Sequence, residues 1–261
     1  HVVMSFAAKT AIGKAKTAGA AWVGVRNSNH AGPASLYAAM PLEHDMIGLY
    51  LAVGNANHMA PWGGIDLLLS TNPIAVAVPG NEGPIVLDMA TSVAAYGKVK
   101  TAAQRGEAMP EGWMIDHQGR PLTDPKRADR GMLMPIGGYK GYGLALMFGV
   151  LAGTLNGAAM GSETVDFNAD DTTPTNTGHA LVAISIAAFG EVDEFKRRVD
   201  RLAREIRSSR PMPGVARIWL PGEQSRAKFE ERSRLGVPIP GPLRASLDKL
   251  AGELNVKPLE T

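Results

Sequence analysis

Cysteine is absent from all 261 residues. That excludes a disulfide framework, a thiol nucleophile and any thiolate metal site, and it fits a cytosolic enzyme. No sign of charge dominates either: 27 Lys and Arg stand against 25 Asp and Glu, a formal net charge of +2. No basic block is interleaved with aromatics, so nucleic acid has no electrostatic footprint here. The chain has no G-x-G-x-x-G after a strand, no Walker A lysine loop, no H-E-x-x-H and no G-x-S-x-G elbow. Ser225-Arg226-Ala227-Lys228 has S-x-x-K spacing but lacks the motifs that accompany it in enzymes. The six histidines never fall at metal-ligand spacing with a carboxylate, which argues against a zinc site. Subtraction leaves glycine-rich, histidine-containing loops as the carriers of chemistry.

What is present reads as an ordinary globular protein, 45% hydrophobic and 20% charged, with one large core or two modest ones. The chain opens at His1, without Met and without a signal-like apolar stretch, and helical spacing begins almost at once. The expectation is that a segment upstream is missing. From Gly141 to Gly161 run 21 residues without a charge, with a small residue every fourth position from Gly141 through Ala145 and Gly149 to Gly161. Such a run is long enough to span a bilayer. Six glycines and Asn156 weaken it, and no basic cluster flanks it, so a buried helix of a packed core is expected instead.

Hydrophobic patterning predicts an α/β chain. A helix over residues 3–18 leads to a strand at Ala21–Val25, the polar turn Arg26–His30 and a short helix from Pro33. Strands follow at Met46–Val53, Ile74–Pro79 and Ile85–Leu87, the last ending in Asp88. Residues 106–138 read as a long flexible connection, of a size that is more often functional than idle. Beyond it come a strand at Ala180–Ile186, an amphipathic helix stepping through Val192, Phe195, Val199, Leu202 and Ile206, a strand at Val215–Leu220 and a closing helix at Leu243–Leu254. The charges on the 192–206 helix, with spacing pairs Asp193/Arg197 and Glu194/Arg198, read as a solvated face.

The candidate site residues lie in loops. His30 follows a predicted strand, where α/β enzymes put ligand-contacting groups, and could exchange a proton near neutral pH. By residue type alone a capping or loop histidine is the more favoured reading. Asp88, at a strand end, could accept from ribose hydroxyls or cap a helix starting at Ser92. Lys140 precedes a long helix and could pair with a pyrophosphate or a carboxylate, or stand free at the surface. Loops rich in Gly, Asn, Ser and Thr around Gly54–Gly64 and Ser70–Pro73 expose backbone N–H groups suited to anions.

Six segments, in order and spread along nearly the whole chain, carry a resemblance. They are Ser28-Asn29-His30-Ala31-Gly32, Met59-Ala60-Pro61-Trp62-Gly63-Gly64, Thr71-Asn72-Pro73-Ile74-Ala75, Leu87-Asp88-Met89-Ala90-Thr91-Ser92, Gly138-Tyr139-Lys140-Gly141-Tyr142-Gly143-Leu144 and Leu220-Pro221-Gly222-Glu223. Together they resemble the type-2 malate/L-lactate dehydrogenase family, which is distinct from the Rossmann-type lactate and malate dehydrogenases. The resemblance implies an α/β enzyme with its own non-Rossmann nicotinamide-binding fold on a mixed sheet, plus a helical or α+β substrate-side portion. It implies hydride transfer between NAD or NADP and a small 2-hydroxy or 2-oxo acid, in a cytoplasmic homodimer or larger homo-oligomer. By position His30 is the histidine beside the substrate. The resemblance further implies that Asp88, Met89, Ala90, Lys140, Pro221, Gly222 and Glu223 are cofactor contacts, with Asn55 a further one on a looser pattern. The expected division is a substrate-side portion at 1–50, a cofactor-binding domain at 51–210 and a return segment at 211–261. Related substrates within the family include cyclic imino acids, ureidoglycolate, sulfolactate and diketo sugar acids. The sequence departs from the family in two places. The family's N-terminal Ser-His-Gly and arginine have no counterpart in this chain, which leaves a cofactor-binding but non-catalytic relative as an alternative. Asn57-His58 stands where a proline is expected before the methionine.

Overall fold

β2 illustrates how the patterning becomes a core. Its run Met46–Ala52 has few polar side chains because both faces of the strand are covered. Met46, Tyr50 and Ala52 face one hydrophobic cluster, while Leu49, Leu51 and the following Val53 face another. The computed structural model describes residues 1–259, in two compact units, His1–Pro221 and Gly222–Thr261.

The first unit begins with α1 (Val2–Ala18), β1 (Ala20–Ser28), α2 (Ala34–Ala39) and β2, followed by β3 (Ile74–Val78) and β4 (Ile85–Met89). Next come α3 (Tyr96–Arg105), the short strands β5 (Met114–Asp116) and β6 (Gly131–Leu133), α4 (Tyr139–Ala152), β7 (Thr177–Ser185) and α5 (Val192–Ser208). The main sheet has the order β1-β7-β2-β3-β4. The expected α/β class holds, but every pairing in this sheet is antiparallel rather than mixed. That pairing explains the missing G-x-G-x-x-G, since the fingerprint belongs to the first turn of a parallel βαβ unit. α1 and α2 pack against one face, over Tyr37, Tyr50, Leu181 and Ala183. The start and end of α4 serve different clusters: Ala145 joins the core beneath β5 and β6, and Ala152 joins the one under Leu51 and Ala180.

Three expectations need correcting. The apolar run after Gly141 is a helix of 14 residues, not 21, ending at Ala152. Gly141, Ala145, Gly149 and Ala152 form its buried face, whereas Leu144, Met147 and Leu151 are exposed. No described helix is long and apolar enough to cross a membrane. Residues 106–138 carry their own small sheet, β5 paired with β6, over Met109, Met114, Leu122 and Leu133. Pro and Gly in that stretch mark tight turns between short strands, not a flexible tether. The third is Val215–Leu220, which takes no place in a sheet. Its alternating apolar residues suit an extended chain, but a strand needs a ladder partner, and the segment forms no ladder with β4, whose Val86 N–H is bonded to the carbonyl of the following Pro221 (3.1 Å).

On α5, Glu194 pairs with Arg197 and Arg198 as a solvated face should. Asp200 does not fit that reading. It is buried, and its carboxylate accepts from Asn81 N–H and Nδ2 and from Glu82 N–H, tying the helix to the turn before β4.

The second unit opens at Gly222, whose positive φ of 88° turns the chain into α6 (Glu223–Leu235). α7 (Gly241–Glu253) closes it, with Pro242 in its first turn and Arg244 paired to Asp248 (2.9 Å).

Candidate active site

β1 ends at Ser28, and the chain leaves the sheet through Asn29 and His30 into a cleft of about 320 Å³. That lies at the lower end of the roughly 300–1,000 Å³ typical of small-molecule sites. His30 is exposed, and its ring stacks at 6.1 Å on Phe167. The Gly32 N–H donates to His30 Nδ1 (3.1 Å). A ring that accepts at Nδ1 carries its proton on Nε2 when neutral. His30 therefore presents an N–H donor at its outer edge.

Behind this loop lies a pair of side chains that patterning did not pick out. His179, on β7, is 2% exposed, and its Nε2 is bonded to the carbonyl of Asn29 (3.1 Å). A carbonyl only accepts, so Nε2 carries the proton and Nδ1 accepts from the Tyr50 hydroxyl (2.8 Å). Both side chains line the cleft. Burial depresses the His179 pKa to about 4, keeping the ring neutral, although the bond to Asn29 opposes the shift. Burial also raises the Tyr50 hydroxyl far above its usual range. The pair thus anchors the backbone one residue before His30. A signal for it was present in the sequence: a Tyr and a His in otherwise apolar strand runs must find partners when buried.

A pH effect follows from this burial. The folded-state pKa of His179 lies below its unfolded value, so its contribution is complete above pH 6.5 and declines as pH falls toward 4. The displacement from 6.5 to about 4 corresponds to about 3 kcal/mol, at about 1.4 kcal/mol per tenfold change in proton affinity. Urea unfolding of wild type and His179→Gln between pH 7 and 4 should show a shallower loss in the variant. Parallel curves would remove His179 as the source.

Asp88, Met89 and Ala90 lie at the end of β4, the edge strand. Asp88 accepts through Oδ2 from the backbone N–H of Ser35 (2.8 Å), so it caps α2 and not a helix from Ser92. The next helix, α3, starts only at Tyr96. Asp88 is exposed, and its Oδ1 has no protein partner among the described residues. Met89 and Ala90 follow, half-buried. Thr91 then ties this strand end to two other segments. Its N–H and hydroxyl both donate to the Thr71 carbonyl (2.9 Å each), and its own carbonyl accepts from Ile136 N–H (2.9 Å). Gly141 is packed against that junction, with the exposed Lys140 beside it at the head of α4. Thr71 lines the cleft, so the β4 cluster and the His30 cleft are joined through it. Pro221 lies along β4 through its carbonyl. Gly222 and Glu223 open the second unit. Asn55 lines the cleft but is 4% exposed, and its amide donates to Thr177 while its carbonyl accepts from Phe167 N–H. Its hydrogen bonds thus shape the wall that carries the Phe167 ring. His58, the departure from the family pattern, lies flat on Tyr96 with ring centroids 3.8 Å apart.

The family profile described as malate/L-lactate dehydrogenase matches residues 1–248. The chain belongs to the malate/L-lactate dehydrogenase family. It is 39% identical to a malate dehydrogenase of Pyrococcus abyssi, over 100% of this chain and 73% of that relative. It is 33% identical to the ureidoglycolate dehydrogenase (NAD(+)) of Escherichia coli O157:H7, over 88% of this chain and 65% of that protein. The solved sulfolactate dehydrogenase of Methanocaldococcus jannaschii superposes with a TM-score of 0.86 at 37% identity, covering 98% of this chain and 73% of that one. As a member of the malate/L-lactate dehydrogenase family, the protein is an oxidoreductase of the dehydrogenase/reductase kind acting on a CH–OH group.

Proposed function

We propose that this chain transfers hydride between NAD or NADP and a small 2-hydroxy or 2-oxo acid, malate or lactate being the reference substrates. The observation that carries the reading is the charge of the cleft. Its lining contains the ammonium of Lys100, while burial keeps His179 neutral and lowers the His58 pKa, and no Asp or Glu lines it among the described residues. A carboxylate-bearing substrate meets attraction there and no like charge.

The donor set also fits a nicotinamide dinucleotide. Asp88 has an oxygen to offer ribose hydroxyls, and Lys140, with no ion pair among the described residues, has the charge to meet a pyrophosphate. When bound, the nicotinamide supplies the hydride chemistry. The protein supplies position and proton handling. His30, with Nδ1 occupied by Gly32, donates a hydrogen bond from Nε2 to the substrate oxygen. In the reductive direction that bond stabilises negative charge growing on the carbonyl oxygen. This tautomer favours a polarising role over proton abstraction, which would require a free ring nitrogen facing the substrate. The expected cofactor contacts at Met89, Ala90, Pro221, Gly222, Glu223 and Asn55 belong to the same proposal, as does assembly into a homodimer or larger homo-oligomer.

The test is a fluorescence titration with NADH and NADPH followed by turnover on a panel of 2-oxo acids. Binding with turnover supports the full reading and names the cofactor. Binding without turnover favours a cofactor-binding, non-catalytic protein, and absence of binding removes the roles given to Asp88 and Lys140.

A further inference from the structure

The cleft holds one side chain that neither the family pattern nor the hydride chemistry accounts for. Lys100 lies on the second turn of α3, one helical turn beyond Tyr96, and is exposed to the cleft. Its ammonium lies 5.6 Å from the Tyr96 ring centroid and donates to Asn168 Oδ1 (2.9 Å). Asn168 is itself held. Its backbone N–H and its Nδ2 both bond Asp166 Oδ1, at 2.8 and 3.0 Å, which aims the remaining amide oxygen at Lys100. Lys100 forms no ion pair with any described carboxylate, although Asp166 is near enough to act on His58 and Tyr96. An ammonium has three donors. One is used by Asn168, the Tyr96 face lies beside the charge, and Asp166 acts on it only through Asn168 and without a direct ion pair among the described residues.

The position matters as much as the charge. Asn168 follows Phe167, the ring stacked on His30. Lys100 and His30 thus line the same cleft and are linked along its wall through the adjacent residues Phe167 and Asn168. A carboxylate on the reacting carbon is the immediate neighbour of the oxygen that His30 would hold. Lys100 offers the same cleft a second point of attachment for an anion, on a different element from the His30 loop.

We propose that Lys100, aimed by Asn168 and Asp166, is a specificity subsite for a second anionic group of the substrate, a distal carboxylate or sulfonate. The inference rests on the 2-oxo acid reading above and adds to it: Lys100 separates dianionic acids from monoanionic ones.

The experiment compares kcat/KM for oxaloacetate and pyruvate in wild type, Lys100→Gln and Lys100→Arg, with NADH and NADPH binding measured alongside. A charge-assisted hydrogen bond to an anion predicts that Lys100→Gln lowers the oxaloacetate-to-pyruvate ratio by about 10–100-fold, mainly through KM. Lys100→Arg keeps most of the preference, because the charge is retained. An unchanged ratio overturns the proposal, whether both activities persist or fall together. Loss of nicotinamide affinity overturns it too, by assigning Lys100 to the cofactor. Should wild type bind nicotinamide yet turn over no 2-oxo acid, the activity reading fails by itself. The subsite is then read by calorimetry with malate and lactate: a malate preference that Lys100→Gln abolishes upholds it, and equal binding overturns it.

Discussion

Replacing His30 by alanine lowers kcat on the preferred 2-oxo acid by about 10²–10³-fold, the usual cost of removing one donor aimed at a developing oxyanion. The expectation follows from three contacts. His179 pins the Asn29 carbonyl, Gly32 occupies Nδ1, and Phe167 supports the ring, so the Nε2–H edge has little freedom left. A donor held in place costs no reorganisation at the moment of reaction, which is why its removal is felt in kcat more than in KM. Nicotinamide affinity should persist, because Asp88, Met89, Ala90 and Lys140, assigned to the cofactor, lie at the β4 end and the head of α4, joined through Thr91. His30→Gln separates two roles. A glutamine amide can donate a hydrogen bond but cannot relay a proton at neutral pH. Partial recovery with Gln, and a flat pH profile where wild type is also flat, would support polarisation. Gln as inactive as Ala, with a wild-type profile that titrates, would favour proton transfer instead. Near-normal turnover of His30→Ala would remove His30 from the chemistry.

The second large effect is expected at a residue that touches no ligand. A Cβ added to Gly141 would fall 2.3 Å from the Ile136 carbonyl oxygen, 2.6 Å from Ile136 N and 2.9 Å from the Thr91 carbonyl oxygen. All three are backbone atoms and cannot swing aside. Gly141→Ala should destabilise the protein by about 1–3 kcal/mol, in the manner of an overpacked core. It should also weaken NADH or NADPH binding, because the displaced segments carry Ala90, Thr91 and Lys140 together. Gly143 provides the control two residues along the same helix, where a Cβ meets nothing within 4 Å. Gly143→Ala should raise stability by about 0.5–1 kcal/mol, by reducing the entropy of the unfolded chain. Chemical denaturation of the two variants against wild type gives the comparison. Equal effects of either sign would mean that the junction at Thr91 yields more readily than its backbone contacts imply.

Helices and strands were legible wherever one face of an element repeats at its own period. The alternation on β3, the continuous apolar run of β7 and the three-and-four stepping of α5 state their elements locally, and so does Pro33 ahead of α2. The family was legible for a different reason, since six loop segments in order constrain far more than any one of them. Legibility ended where a residue's role depends on a distant partner. Asp88 reads as a cap in the sequence, and it is one, but for the helix 53 residues upstream and not for the helix that follows it. Asp200 reads as one more charge on a solvated helix, and only the turn at Asn81–Glu82 makes it a buried acceptor.

The sequence by itself determined most of the elements, the absence of cysteine and so of thiol chemistry, the family, and His30 as the residue to test. Those properties reside in local composition, spacing and order, which survive without knowledge of contacts. The tertiary structure alone decided that the sheet is antiparallel, that His179 and Tyr50 stand behind the His30 loop, and that Lys100 is held by Asn168 beside Phe167. The contacts of His179, Tyr50 and Lys100 join residues 68 to 150 positions apart. Hydrogen bonds across such separations form only when chain closure is repaid by the packing of the whole core, and no local window of sequence records that sum.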